Sequence, residues 1–289
     1  MKVLLIGSGG QLGWELCRTC PPSINFVPLD YPEIDLSDGM HVDRLVSEIQ
    51  PDWVINAAAY TAVDKAESEL EKARAVNGAG VGSLASSVAR IQGKLVQIST
   101  DFVFDGEHGG AYPPDAECSP LGVYGQTKRE GELAALEALP GRVLLLRTAW
   151  LYSSHGTNFV KTMLRLMKEK DQLGVVDDQI GTPTWAHGLA TTIWKGINRN
   201  LTGCYHWTDA GVASWYDFAV AIRDEGIACG LLKNALPVSP IPSSAYPTPA
   251  QRPSNSVLSK TSTWKDFDIQ PVHWREQLRS MLQEMCTHA

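Results

Sequence analysis

Nowhere in this 289-residue chain do lysine and arginine cluster, and its formal net charge is -7. A surface of that sign repels a phosphate backbone, so nucleic acid is not expected as a partner. No apolar run approaches the ~20 residues that span a bilayer, so no membrane partner is expected. Met1-Lys2 leads directly into Val3-Leu4-Leu5-Ile6 and then glycines, too short a run for a secretory signal. A cytoplasmic location is expected. Cysteine is sparse, six residues, and in that compartment they are expected to be free thiols. Cys17-Arg18-Thr19-Cys20 has redox or metal spacing, but no second Cys or His pair accompanies it within its helical stretch. It reads as core and helix-end packing. Repeats and low-complexity tracts are also missing.

What the chain does contain is an alternation of apolar runs with helical rhythm. Lys2 to Ile6 reads as a buried parallel strand. Gly7-Ser8-Gly9-Gly10-Gln11-Leu12-Gly13 follows, then Trp14-Glu15-Leu16-Cys17 at helical spacing. Strand, glycine turn and helix together form a phosphate-binding context. Gly7 permits the tight turn, Gly10 lets backbone approach a pyrophosphate, and Gly13 lets helix and strand pack closely. The helix N-terminus adds free N–H groups and partial positive charge. Asp30 ends the second strand, 26–30. A carboxylate there takes ribose hydroxyls and disfavours a 2′-phosphate, which leans the cofactor toward NADH. Asp35-Leu36-Ser37-Asp38 reads as an adenine-side loop entering a capped helix.

Residues 53–59 read as a third strand whose Ala57, Ala58 and Ala59 suit a backbone passing close to a flat ligand. A polar segment then opens a long helix to about Gln92, with Asn77 inside it as a candidate ligand contact or a satisfied buried amide. The fourth strand, 94–98, delivers Ser99-Thr100-Asp101 to the carboxyl edge of the sheet, where open parallel sheets bind ligands. A hydroxyl there can donate to a substrate oxygen or cap the next turn. Tyr124 and Lys128, four apart, share a helix face. An ammonium close to a phenol lowers its pKa and prepares it to protonate a carbonyl oxygen. The fifth strand is expected over 142–152.

Alternation to that point predicts an α/β fold, a doubly wound parallel sheet of Rossmann type with a smaller mixed α/β substrate domain. The expected division is residues 1–153 for the nucleotide domain, with a returning segment near 181–206, and 154–289 mainly for the substrate domain. In the second part, 158–161 opens a helix, 175–180 is strand-like, and Ser214 to Asp217 forms a capping box. Between Pro237 and Pro253 the prolines are too dense for a regular element. Arg252 could clamp a ligand phosphate there.

These residues carry a resemblance. Gly10 to Glu15, Asn56 to Glu67, Ser99 to Phe104, Val123 to Lys128, Asn158 to Met163 and Ala245 to Pro253 resemble the extended short-chain dehydrogenase/reductase superfamily, and within it the reductases of dTDP-4-keto-6-deoxy sugars. The resemblance implies hydride delivery from NADPH or NADH to the C4 ketone of a dTDP-sugar. Thr100 would bond the ketone oxygen, Tyr124 would protonate it, and Lys128 would hold the nicotinamide ribose. It implies cofactor contacts from Gly7, Gly10, Gln11, Leu12, Gly13 and Asp30. Asp35, Leu36, Ala57, Ala58, Ala59, Tyr60, Asn77 and Ser99 extend that set. Substrate contacts are implied at Val63, Asp101, Trp150, Asn158, Phe159 and Arg252. Some relatives bridge a homodimer through glutamate-bound Mg²⁺. Glu15 is present here, but His187 stands where a second glutamate is expected and no clear third follows near the C-terminus. No metal site is predicted, and monomer and homodimer both stay open. Related dehydratases carry an acidic base directly after Thr-Asp; here that position is Phe102. An epimerase or a non-catalytic nucleotide-binding subunit on the same fold remains the alternative.

Overall fold

The computed structural model describes residues 1–287. Its first half runs β1 (Lys2–Ile6), α1 (Gln11–Arg18), β2 (Asn25–Leu29), α2 (Gly39–Ile49), β3 (Trp53–Asn56), α3 (Val63–Ala66), α4 (Leu70–Arg74), α5 (Gly80–Arg90), β4 (Lys94–Thr100), α6 (Val123–Ala138) and β5 (Val143–Thr148). The second half adds β6 (Leu151–Tyr152), α7 (Phe159–Glu169), β7 (Leu173–Val176), β8 (Ile180–Gly181), β9 (Thr184–Trp185), α8 (Ala186–Asn198), β10 (Gly203–His206), β11 (Ala213–Ser214), α9 (Trp215–Ala228), β12 (Val238–Ile241), α10 (Thr261–Phe267) and α11 (Trp274–Thr287).

Six parallel strands form the central sheet in the order β10-β5-β4-β3-β1-β2. Its strands are apolar on both faces because helices cover both. Leu4, Val54, Leu95 and Leu145 pack toward α2, α5 and α6. Alternate residues Val3, Ile55, Val96 and Leu146 pack toward α1 and α8. A third core joins α7, α9 and α11 through Met163, Met167, Phe218, Trp274 and Met281. The chain runs outward from β1 to β2, then crosses back to β3 on the other side of β1. Strand order thus reverses between β1 and β3, and in such sheets the crevice at that switch point is where ligands bind.

Several elements differ from the sequence expectation. The helix expected to run unbroken to Gln92 is α3, then α4, one π-turn over Ala75–Ala79, and α5. The third strand stops at Asn56, so Ala57 to Ala59 are loop rather than ladder. The fifth strand breaks after Thr148, where Trp150 adopts φ +46°, and β6 turns away to pair with β9. The strand-like run 175–180 is split between β7 and β8. Within the proline-rich stretch, β12 nonetheless pairs with β7, Pro240 included. A two-stranded ribbon consists only of edge strands, where a missing N–H is tolerated. Cys17 is exposed at the end of α1 instead of packed in a core. The Ser214–Asp217 capping box is present, with Asp217 N–H donating to Ser214 Oγ at 3.0 Å and Ser214 N–H to Asp217 Oδ2 at 2.9 Å.

Candidate active site

The carboxyl ends of β1, β3, β4 and β5 open into a cavity of about 770 Å³. That is room for a dinucleotide-sized ligand. Its floor is the glycine turn. Gly7 has φ +90°, and a Cβ there would sit 2.7 Å from the Ala58 nitrogen. A Cβ on Gly13 would lie 2.0 Å from the Gly7 carbonyl oxygen, so α1 can approach the turn only because that side chain is missing. Gly10 starts α1 without a side-chain cap. The first N–H groups of that helix therefore face the cavity with their positive partial charge. These are the features a pyrophosphate requires, and the cradle fits a nicotinamide dinucleotide.

Gly7, Gly10, Gln11, Leu12, Asp30, Asp35 and Leu36 line this cavity together with Ala57, Ala58 and Ala59. Asp30 Oδ2 accepts from the Gly9 N–H at 3.1 Å, which holds the carboxylate beside the turn. Ser99, Thr100, Asp101, Tyr124, Lys128, Trp150 and Asn158 complete the wall. Asn158 caps α7 by accepting from the Lys161 N–H at 3.0 Å, and its amide donates to Gln11 Oε1 at 2.9 Å. Sequence reasoning passed over Gly156, Thr157 and Thr148, which also line the cavity. Only folding brings the 153–158 loop over α1.

Other residues named from sequence lie off the lining. Gly13 is behind the turn. Tyr60 and Asn77 form a closed pair: Asn77 Oδ1 accepts from Tyr60 N–H at 2.9 Å and its amide donates to Tyr60 C=O at 3.1 Å. The π-turn places that amide, and Thr127 Oγ1 accepts a further bond at 3.3 Å. Asn77 thus shapes the alanine loop from behind. Phe159 packs on Trp215 and Phe218 with centroids at 4.7 and 5.4 Å. Val63 lines a separate small crevice with Phe102, Tyr124, Gly125 and Ala250, and Tyr124 also lines the main cavity. Arg252 makes a two-point bond to Asp64, at 3.1 and 2.9 Å. Thr248 and Ala250 accept its remaining contacts.

At the catalytic end, Thr100 Oγ1 accepts from the Phe102 N–H at 3.2 Å, so it does cap the next turn. It also donates to Asp101 Oδ1 at 3.1 Å. Burial pushes the Asp101 carboxyl up to about 6, and its Oδ2 has no partner among the described residues. Lys128 Nζ donates to the Ile98 carbonyl at 2.7 Å. Desolvation pulls the Lys128 ammonium down to about 8, with Glu132 opposing it. Tyr124 differs from the sequence expectation. Burial raises its phenol to about 12, the Thr100 hydroxyl offsets part of that, and Lys128 is not among the influences. Desolvation of the phenol dominates here. The phenol therefore stays protonated at neutral pH, the state a proton donor needs. Phe102 meets Tyr124 edge-on at 5.8 Å, so the residue after Asp101 presents an apolar ring to the phenol.

The chain matches the family described as RmlD substrate binding domain over residues 1–287. The dTDP-4-dehydrorhamnose reductase of Burkholderia thailandensis is 43% identical over 95% of this chain and 96% of its own. A crystal structure of a dTDP-4-dehydrorhamnose reductase ortholog from Clostridium acetobutylicum superposes with TM-score 0.92 at 38% identity, covering 99% of each chain. The reductase from Bacillus anthracis, crystallised in complex with NADP, gives TM-score 0.92 at 34% identity over 98% of this chain and 99% of that one. The chain belongs to the RmlD substrate binding domain family, within the extended short-chain dehydrogenase/reductase fold.

Proposed function

We propose that this protein reduces the C4 ketone of dTDP-4-dehydro-6-deoxy-L-mannose to give dTDP-L-rhamnose, using a nicotinamide cofactor. One observation carries the reading: a proton-holding phenol, a hydroxyl and a buried lysine share one cavity with a dinucleotide cradle. The relatives named dTDP-4-dehydrorhamnose reductase, matched end to end, supply the substrate.

The reduced nicotinamide, when bound, supplies the hydride. The chain's residues do the rest. Tyr124 donates a hydrogen bond to the ketone oxygen, and Thr100 joins it once its hydroxyl turns from Asp101 Oδ1; both bonds favour the charge that grows there during transfer. Tyr124 then gives its proton to that oxygen, since an alkoxide is a stronger base than a phenolate. Lys128 holds the ribose and, as an ammonium, stabilises the phenolate left behind. The glycine turn and the N-terminus of α1 carry the pyrophosphate, and Ala57 to Ala59 let the rings lie against backbone. Asp30 accepts ribose hydroxyls, and its charge disfavours a 2′-phosphate, so NADH is accepted at least as well as NADPH. Val63 and Trp150 border the sugar, and Arg252 reaches the nucleotide diphosphate while Asp64 orients it.

Mixing the enzyme with NADH and the dTDP-4-keto sugar tests the proposal. Stoichiometric loss of absorbance at 340 nm (the reduced-nicotinamide band), with dTDP-rhamnose as product, is expected on general grounds of hydride transfer. Isomerised sugar without cofactor loss would point instead to an epimerase. Comparing kcat/KM for NADH and NADPH checks the Asp30 argument, which a strong NADPH preference overturns.

A further inference from the structure

A group of side chains outside the cavity has a complete wiring of its own. Glu15, on α1, has a fully buried side chain. Its Oε1 accepts from Ser153 Oγ at 2.8 Å. Its Oε2 accepts from Arg18 Nε and stands 3.3 Å from His187 Nδ1. Glu284, on α11, accepts from Arg18 Nη2 on Oε2 at 2.8 Å and from Ser154 Oγ on Oε1 at 2.7 Å. All four carboxylate oxygens are committed, and the cation joining them is a guanidinium.

The family resemblance raises a divalent ion held by glutamates, and sequence reading missed Glu284 as a carboxylate near Glu15. These residues do not fit such an ion. Arg18 fills the place between the two carboxylates, and His187 supplies the remaining contact. Among the described residues no trio of His, Cys, Asp or Glu is disposed to hold a metal. Mg²⁺ would need near-octahedral oxygen ligation, whereas a planar guanidinium bridges two carboxylates with its fixed fork of donors.

The wiring leads to the cofactor turn. Ser153 and Ser154 open the loop whose Gly156, Thr157 and Asn158 line the cavity. The His155 backbone N–H donates to Ser153 Oγ at 3.1 Å, and its ring Nε2 lies 3.0 Å from the Gly9 carbonyl oxygen. That ring stacks on Trp14 at 5.3 Å, and the Arg18 guanidinium sits 4.9 Å from the centre of the same indole. Arg18 therefore reaches His155, and through it the glycine turn, by two routes: through Glu15 and Ser153, and through Trp14.

We infer that Arg18 is a positioning residue, a built-in cation that fastens α11 and the 153–158 loop to the glycine turn and makes cofactor binding independent of a divalent ion. The inference rests on the proposed cofactor cavity, so its test separates the two. Wild type, Arg18→Ala and Glu284→Gln are compared by thermal melting without cofactor, and by titration with NADH and NADPH, in EDTA and in millimolar MgCl₂. Wild type is expected to melt at one temperature and bind with one Kd in both buffers. Arg18→Ala leaves two carboxylates facing each other and is expected to melt lower and bind cofactor about tenfold more weakly. Glu284→Gln keeps the Glu15–Arg18 pair and is expected to fold, with a Kd raised about threefold. It decides the matter if Arg18→Ala does not fold. A wild-type melt that falls in EDTA, or cofactor binding unchanged in the variant that folds, overturns the inference. Failure of wild type to bind either nucleotide sinks the cofactor site and this inference with it. Intact binding with no turnover of the sugar sinks only the proposed reaction.

Discussion

Lys128 gives the sharpest prediction, because burial moves it into the range where an assay can follow it. The residue is 4% exposed, and its ammonium is held to one backbone carbonyl and drawn from an ordinary 10.5 down to about 8. That difference corresponds to ~3 kcal/mol of lost preference for the charged form. The phenol of Tyr124 stands far above it at about 12. If the ammonium is the working form, kcat/KM for NADH, which reports the free enzyme, is level from above the Asp101 value of about 6 up to about pH 8 and falls about tenfold per pH unit beyond it. Ionisation of Tyr124 contributes nothing to that limb. Lys128→Arg carries a guanidinium that stays charged, so the limb moves upward by at least ~1 pH unit, whatever the absolute rate. Two remote groups also titrate near this value, Lys260 lowered to about 8 and Asp209 raised to about 8. A limb that persists near pH 8 in Lys128→Arg belongs to them and refutes the assignment. The stability sign is the reverse of the activity sign. Between pH 8 and 10.5 the unfolded chain holds a proton on this lysine that the folded chain has lost, so this group makes stability rise with pH across that window.

Tyr124→Phe is expected to lower kcat at least ~10²-fold with the NADH Kd little changed, measured by steady-state kinetics and titration; unchanged kcat removes the phenol as proton donor. Gly13→Ala puts a methyl 2.0 Å from the Gly7 carbonyl oxygen, so α1 must retreat from the turn, and the cofactor KM should rise by about tenfold or more. Asn77→Ala strands the Tyr60 N–H and C=O that its amide satisfies. A loss of ~2–4 kcal/mol in urea unfolding is expected, and a loss below ~0.5 kcal/mol contradicts the account. Arg252→Ala should raise the KM for the sugar nucleotide more than that for NADH, as seen by varying each substrate in turn.

The part of the site that was legible in sequence is the part built from local geometry. Gly7, Gly10 and Gly13 follow a strand and open a helix, and their spacing alone states that backbone comes close to something. Tyr124 and Lys128 share a face through helical periodicity, and Thr100 and Asp101 end a strand. What proved hard to read depends on distant packing. The π-turn at Asn77 is invisible to a 3.6-residue rhythm, because one added residue per turn leaves the apolar pattern intact on both sides. Nothing in the sequence around Phe159 tells that it packs on Trp215 and Phe218. Arg252 lies in a proline-rich run with no periodicity, and its partner Asp64 is 188 residues away.

Taken alone, the order of apolar runs, glycines and caps determined that this chain builds a parallel sheet covered on both faces, with a phosphate cradle after its first strand. Those features need only neighbours in sequence, so they are written there. The ionisation of the site was decided by tertiary structure. Whether a phenol four residues from a lysine is lowered or raised depends on how much water packing removes, and that is a property of the whole fold. The same holds for Arg18: Glu15 lies one turn away on its own helix, but only the fold brings Glu284 to its guanidinium and Ser153 to Glu15.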